Sequence, residues 1–172
     1  MKSMKIKLLL LLSAVCFSVE INAQSLLQKF EKNKDITTVV VSQKMFQMLS
    51  KIETKDADAK EFMAVANKLT GMKVFSTESK AAIAQMKQEV ESYVKAAALG
   101  ELMRVKDKAS NVKIYTKGGK DANHASELLM LIEEAQGGKQ TVVLSLTGDI
   151  DLQKVGVLTK NMNLPKEVND IR

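Results

Sequence analysis

The stretch Glu127–Asp151, ELLMLIEEAQGGKQTVVLSLTGDID, decides how this chain folds. Its second half, QTVVLSLTGD, reads as a strand, because Val142, Val143, Leu144 and Leu146 form a short apolar run closed by Gly148. Its first half fits two structures. Leu128 to Ile132 is apolar at consecutive positions, as a strand buried on both faces would be. The same residues are good helix formers, with Asn123 placed to cap a helix and Gly137 to end it. If the segment is a strand, AQGGKQ closes a hairpin and the sheet has an apolar centre. If it is a helix, the sheet loses its middle. Pattern alone leaves both open.

Beyond Gly148 lies Asp149-Ile150-Asp151, followed by Val155, Leu158 and Met162 at helical spacing and by Pro165, the only proline. An Asp at a helix start accepts from free backbone N–H groups and meets the positive end of the helix dipole. Gly148 is therefore expected to end the strand, and Asp149 or Asp151 to cap a helix beginning near Leu152. The competing chemistry is a metal-dependent hydrolase in which Asp149 and Asp151 hold Mg²⁺ or Ca²⁺. Such a site needs further oxygen ligands.

Upstream of the deciding stretch, ELMRVKD and NVKIYTKGG alternate apolar and polar residues around the turn KASN. Met103 and Val105 should share a face with Val112, Ile114 and Thr116, leaving Arg104 and Lys106 on the other. Ile83, Met86, Val90, Tyr93, Val94 and Ala97 follow a 3.6-residue period, with Ser76, Thr77 and Ser79 as caps and Gly100 at the end. MKVFSTE reads as a short strand. Phe62, Val65, Ala66 and Leu69 form a helical stripe, with Asp58 and Glu61 as its start and Gly71 as its cap. ITTVVVS, Ile36 to Ser42, reads as a buried strand, and Met45, Leu49 and Ile52 recur at helical spacing after it. The expected class is α+β: a two-layer domain, an antiparallel β-meander sheet with helices packed on one face.

The N-terminus carries Lys2, Lys5 and Lys7, then an apolar run from Leu8 to Val19, then Ala23 at a plausible cut. This is the order of a secretory signal peptide. The run is shorter than the roughly 20 apolar residues that a span needs. The division is residues 1–23 as signal and 24–172 as one domain, with no transmembrane segment after cleavage and a periplasmic or secreted address. Cys16, the only cysteine, allows a lipoprotein alternative, although Val15 stands where that signal wants a small residue. Removing three Lys and one Glu takes the formal charge from +6 to +4, a mild excess with no basic cluster.

Several blocks together resemble a secreted family of unknown function from the Bacteroidetes, domain of unknown function 4252. They are VVVSQKMFQML, KLTGMKVFSTES, ELMRVKDKASNVKIYTK, ELLMLIEEA and VVLSLTGDIDLQKVGVLTKNMNLP. The resemblance spans nearly all of residues 24–172, and its most specific piece is LSLTGDIDL. It implies that ELLMLI is a strand, and it implies no activity, cofactor or catalytic residue. The loop EAQGGKQ departs from the family, where it is shorter and more acidic.

Other candidate chemistry is thin. His124 is the only histidine, so a zinc site of several histidines would need ligands from more than one chain. Ser126 and Asp121 lie close to it in sequence, but KGGKDANHAS reads more economically as a turn. KGGK lacks the spacing of a phosphate loop. Tyr115 and Phe75 are isolated, which disfavours a nucleic-acid platform. The ten Met residues, Met45, Met48, Met63 and Met86 among them, fall mostly on core stripes. The functional expectation is a non-catalytic envelope module, without a cofactor, that binds a protein, glycan or lipid.

Overall fold

The computed structural model describes residues 27–106, 108, 110–134 and 140–155. The leader with Cys16 and Ala23, most of the loop 134–140, and Leu158, Met162 and Pro165 lie outside the described residues. Six strands form one antiparallel sheet: β1 (Thr37–Ser42), β2 (Leu69–Thr77), β3 (Gly100–Lys106), β4 (Ser110–Gly118), β5 (His124–Glu134) and β6 (Thr141–Asp151). Their order is β1-β2-β6-β5-β4-β3. Three helices, α1 (Gln43–Leu49), α2 (Ala57–Ala66) and α3 (Lys80–Ala96), lie between strands. Residues 27–32 are helical ahead of β1, and Leu152–Lys154 form a 3₁₀ turn after β6.

The ambiguous segment is a strand, as the resemblance implies. Leu128 pairs with Leu146, Met130 with Leu144 and Ile132 with Val142, while Leu131 pairs with Val143. Leu128 through Ile132 are all buried, so over this stretch neither face of β5 reaches water. A helix would have given half of these side chains no partner. β3 to β6 form the expected meander, with Met103 opposite Ile114 and Val105 opposite Val112.

Burial on both faces corrects the expectation that helices cover only one. One cluster joins Leu128, Met130, Leu144 and Leu146 to Phe46 of α1 and Val65 and Ala66 of α2. The other joins Phe75, Leu129, Leu131 and Val143 to Ala82, Met86, Val90 and Tyr93 of α3 and to Phe30. Phe30 meets Phe75 edge to face, with ring centroids 5.1 Å apart. The alternation in β3 and β4 suggested a single covered face, but consecutive buried residues in β5 (Leu128–Ile132) and β6 (Val143–Leu146) require two.

Several local expectations also change. Asp56, not Asp58, caps α2, accepting from the N–H groups of Asp58 and Ala59. Gly71 lies inside β2 rather than after a helix. Ser79 caps α3 as expected, accepting from Ala82 N–H. Gly100 does not end α3, because Ala98 takes the left-handed conformation with φ 54°. Leu99 N–H donates to Val94 O and Ala98 N–H to Lys95 O, the paired bonds of a Schellman end with alanine in glycine's place.

Gly148 does not end β6, which continues to Asp151. It sits in a bulge at φ 136°. Ala125 pairs with Ile150 and Glu127 with Thr147, so Ser126 faces both Gly148 and Asp149. The register against β2 also shifts here, between Leu69 and Gly71. A Cβ on Gly148 would lie 2.4 Å from Lys68 O, so the strand approach itself requires glycine. The expected cap is present: Asp151 accepts from Gln153 N–H at 3.1 Å and starts a 3₁₀ turn, and the rest of the expected helix lies outside the described residues.

Candidate functional site

The bulge brings together the two stretches that carry most of the chain's polar candidates. β5 begins at His124, which pairs with Asp151 at the end of β6. Asp121, in the turn before β5, places Oδ1 2.7 Å from His124 Nδ1 and also accepts from Asn123 N–H. Across the strand pair, Lys120 Nζ donates to Asp149 Oδ2 at 2.7 Å. Asp149 Oδ1 lies 4.0 Å from His124 Nε2, beyond hydrogen-bond reach. The imidazole is thus flanked by two carboxylates, and one of these is held by a lysine.

The electrostatics follow from these contacts. The hydrogen bond from His124, then that from Asn123 N–H, holds the Asp121 carboxyl below the ordinary carboxylate range. Lys120 does the same for Asp149, and Asp149 in turn raises the Lys120 ammonium. These groups lie at the surface, so the pairs organise the turn rather than add much stability.

Ser126 Oγ donates to Gly118 O at 2.9 Å, which ties β5 to the end of β4. A Ser–His–Asp relay needs that hydroxyl on the imidazole. Asp149 turns to Lys120, and Asp151 turns to Gln153 N–H. Their carboxylates have separate partners, so the hydrolase alternative finds them engaged apart. Among the described residues, no three His, Cys, Asp or Glu side chains are grouped as metal ligands.

One polar pair lies deeper. Glu127, nearly buried on β5, accepts from the Tyr93 hydroxyl of α3 at 2.5 Å. Burial first, then this bond and the carboxylate's charge, push the tyrosine hydroxyl far above its ordinary value. The pair fastens α3 to the sheet.

A different kind of surface lies at the opposite edge of the sheet from β3. The sequence places Val39 and Val40 inside, but they are 48 % and 56 % exposed. The reason is position: β1 ends the strand order, and among the described residues it pairs only with β2. α1 follows directly and buries Phe46, leaving Met45 and Met48 47 % and 58 % exposed, which corrects their placement on a core stripe. Ile52 is 55 % exposed just beyond. Five of the six large hydrophobic residues exposed among the described residues therefore fall between residues 39 and 52; the sixth is Leu102. Of these only Ile52 reaches an open cleft of about 700 Å³, lined also by Lys55, Lys60, Met63 and Asn67 among others.

The sequence signal for this surface was ambiguous, because an uncharged β-branched run suits a central strand and an edge strand equally. Met45 and Met48 lie about 100° and 200° around α1 from Phe46, so burying Phe46 leaves both methionines outside.

A six-stranded antiparallel sheet with helices contributing to clusters on both faces defines an α+β domain. The chain belongs to the family described as Domain of unknown function (DUF4252), whose model matches residues 30–158. No curated protein and no solved structure matches it. Among the described residues, no helix is long and apolar enough to cross a membrane.

Proposed function

We propose that this chain is an exported cell-envelope module, non-catalytic, that binds a protein partner through the β1–α1 corner. The tripartite leader of residues 1–23 supports export. One observation carries the binding reading: the large apolar side chains left in water concentrate at residues 39–52. Scattered exposed hydrophobics are ordinary, whereas five of six gathered on one edge strand and the segment after it point to an interaction surface. An edge strand favours a protein over a glycan or a lipid, since its unpaired N–H and C=O groups are matched by an extended peptide.

The test compares capture by three immobilised forms of residues 24–172 from envelope extract: wild type, Val40→Lys with Met48→Lys, and Leu102→Lys. The reading expects one protein retained by wild type and Leu102→Lys and lost by the β1–α1 variant. Equal retention by all three places the binding elsewhere and contradicts it.

A further inference from the structure

From this edge we infer that the occupant of β1 is β1 of a second copy, paired antiparallel about a two-fold axis so that two sheets become one of twelve strands. The inference rests on the proposal that the β1–α1 corner is a binding surface, and it names the partner. Three features argue for it. The first is backbone chemistry. Among the described residues β1 is hydrogen-bonded on one side only, to β2, and an open ladder selects another strand. Neither α1, whose Phe46 packs in one cluster, nor the helical residues 27–32, whose Phe30 packs in the other, covers Val39 or Val40.

The second feature is charge. β1 reads TTVVVS and carries none. A two-fold axis sets a strand against itself, so any charged residue near the axis would meet its own copy. β1 avoids this penalty over its whole length. The other terminal strand, β3, reads GELMRVK and carries Glu101, Arg104 and Lys106, the protection expected of an edge that must stay single. One edge is guarded and the other is not.

The third feature is geometry. Every pair in this sheet is antiparallel, and an isologous strand pair is antiparallel by symmetry. An axis perpendicular to the sheet keeps each face on its own side. Residues opposed across it then share a face, which places Val39 against Val39 or Val40 against Val40 of the second copy. Val40 lies on the face of Lys73, its partner in β2, and Lys73 is paired with Glu31. The approach therefore brings no unpaired β2 charge up to the axis.

The experiment measures the mass of purified residues 24–172 by light scattering across a dilution series, with amide exchange read on β1. Wild type is expected to move from one chain mass to two as concentration rises, with β1 amides slowing in step. Val39→Lys with Val40→Lys should weaken self-association about tenfold or more, whereas Leu102→Lys should leave it unchanged. Both valines are half exposed, so the lysines leave the fold intact, and an unchanged far-UV spectrum checks this. A dimer lost by Leu102→Lys and kept by the β1 variant overturns the inference. So does a monomer at every concentration. If that monomer shows slow β1 amides, a segment of the same chain occupies the edge. If its β1 amides are fast and the β1–α1 variant still loses envelope capture, the edge takes another protein and only self-pairing falls. If capture is also indifferent to the variant, the binding surface falls with it.

Discussion

Replacing Gly148 by alanine should be among the most damaging single methyl additions in this protein. At φ 136° an L-residue is strained by about 1–3 kcal/mol. The new Cβ would stand 2.4 Å from Lys68 O, 2.7 Å from Leu69 Cα and 2.9 Å from Thr70 N, all backbone atoms of the segment that opens β2. These atoms cannot turn aside as a side-chain tip can. The segment must retreat, and the 3.0 Å hydrogen bond from Asp149 N–H to Lys68 O is lost with it, at a cost of about 1 kcal/mol. The total is about 2–4 kcal/mol, which for a chain of this length corresponds to a fall in Tm of about 10 °C. Thermal melting by circular dichroism reads this directly. Gly118→Ala is the control, because a Cβ there meets nothing within 4 Å. If Gly148→Ala melts with the control, the bulge is not a glycine-only junction and the account of β6 is wrong.

Other substitutions test other joints. Ala98→Gly should stabilise by about 0.5–1 kcal/mol, since Ala98 holds a left-handed φ that glycine adopts freely; a loss on melting would contradict the strained α3 end. Tyr93→Phe leaves the nearly buried Glu127 carboxylate short of a donor and should cost about 1–3 kcal/mol in denaturant titration. Because the folded tyrosine value lies above the unfolded one, the wild-type advantage is complete below about pH 10 and declines as pH rises beyond it; an advantage that grows in alkali would refute the assignment. Asp151→Ala should cost about 0.5–2 kcal/mol through the lost 3₁₀ cap, with Mg²⁺ or Ca²⁺ leaving every melting curve in place; a metal-induced rise abolished by Asp149→Ala and Asp151→Ala would restore the hydrolase alternative. Asp121 and Asp149 should stay ionised below the usual carboxylate range by NMR titration, so their contribution is present above that range and lost as pH falls through their depressed values; midpoints at or above the ordinary value would remove the ion pairs from the account.

The elements whose residues meet their partners locally were readable. Ser79 caps α3, and Met103 and Val105 alternate with Arg104; Leu128–Ile132 fitted strand and helix alike, and only the family resemblance pointed to the strand that pairs with Val142–Leu146. What could not be read depended on neighbours distant in sequence. Val39 to Val41 looks internal because β-branched residues favour sheets wherever they lie, and only the strand order places them at an edge. Gly148 looked like a terminator because a bulge is defined by two flanking strands, β2 and β5, rather than by its own residues. Asp149 read as a helix cap, with half of a carboxylate pair as the alternative, and its actual partner, Lys120, lies 29 residues away. The Tyr93–Glu127 bond was hidden similarly, since Tyr93 fits an apolar stripe and its hydroxyl's acceptor sits 34 residues on.

The central claim is that the β1–α1 corner is where this chain meets its partner, and oxidative footprinting of the methionines tests it most directly. Met45 and Met48 stand about half exposed, whereas Met86 and Met130 are fully buried and serve as internal standards. The account predicts that Met45 and Met48 oxidise rapidly in the dilute purified chain and become protected in intact envelopes, while Met86 and Met130 stay unoxidised in both. Equal labelling of Met45 and Met48 in the two settings would contradict it.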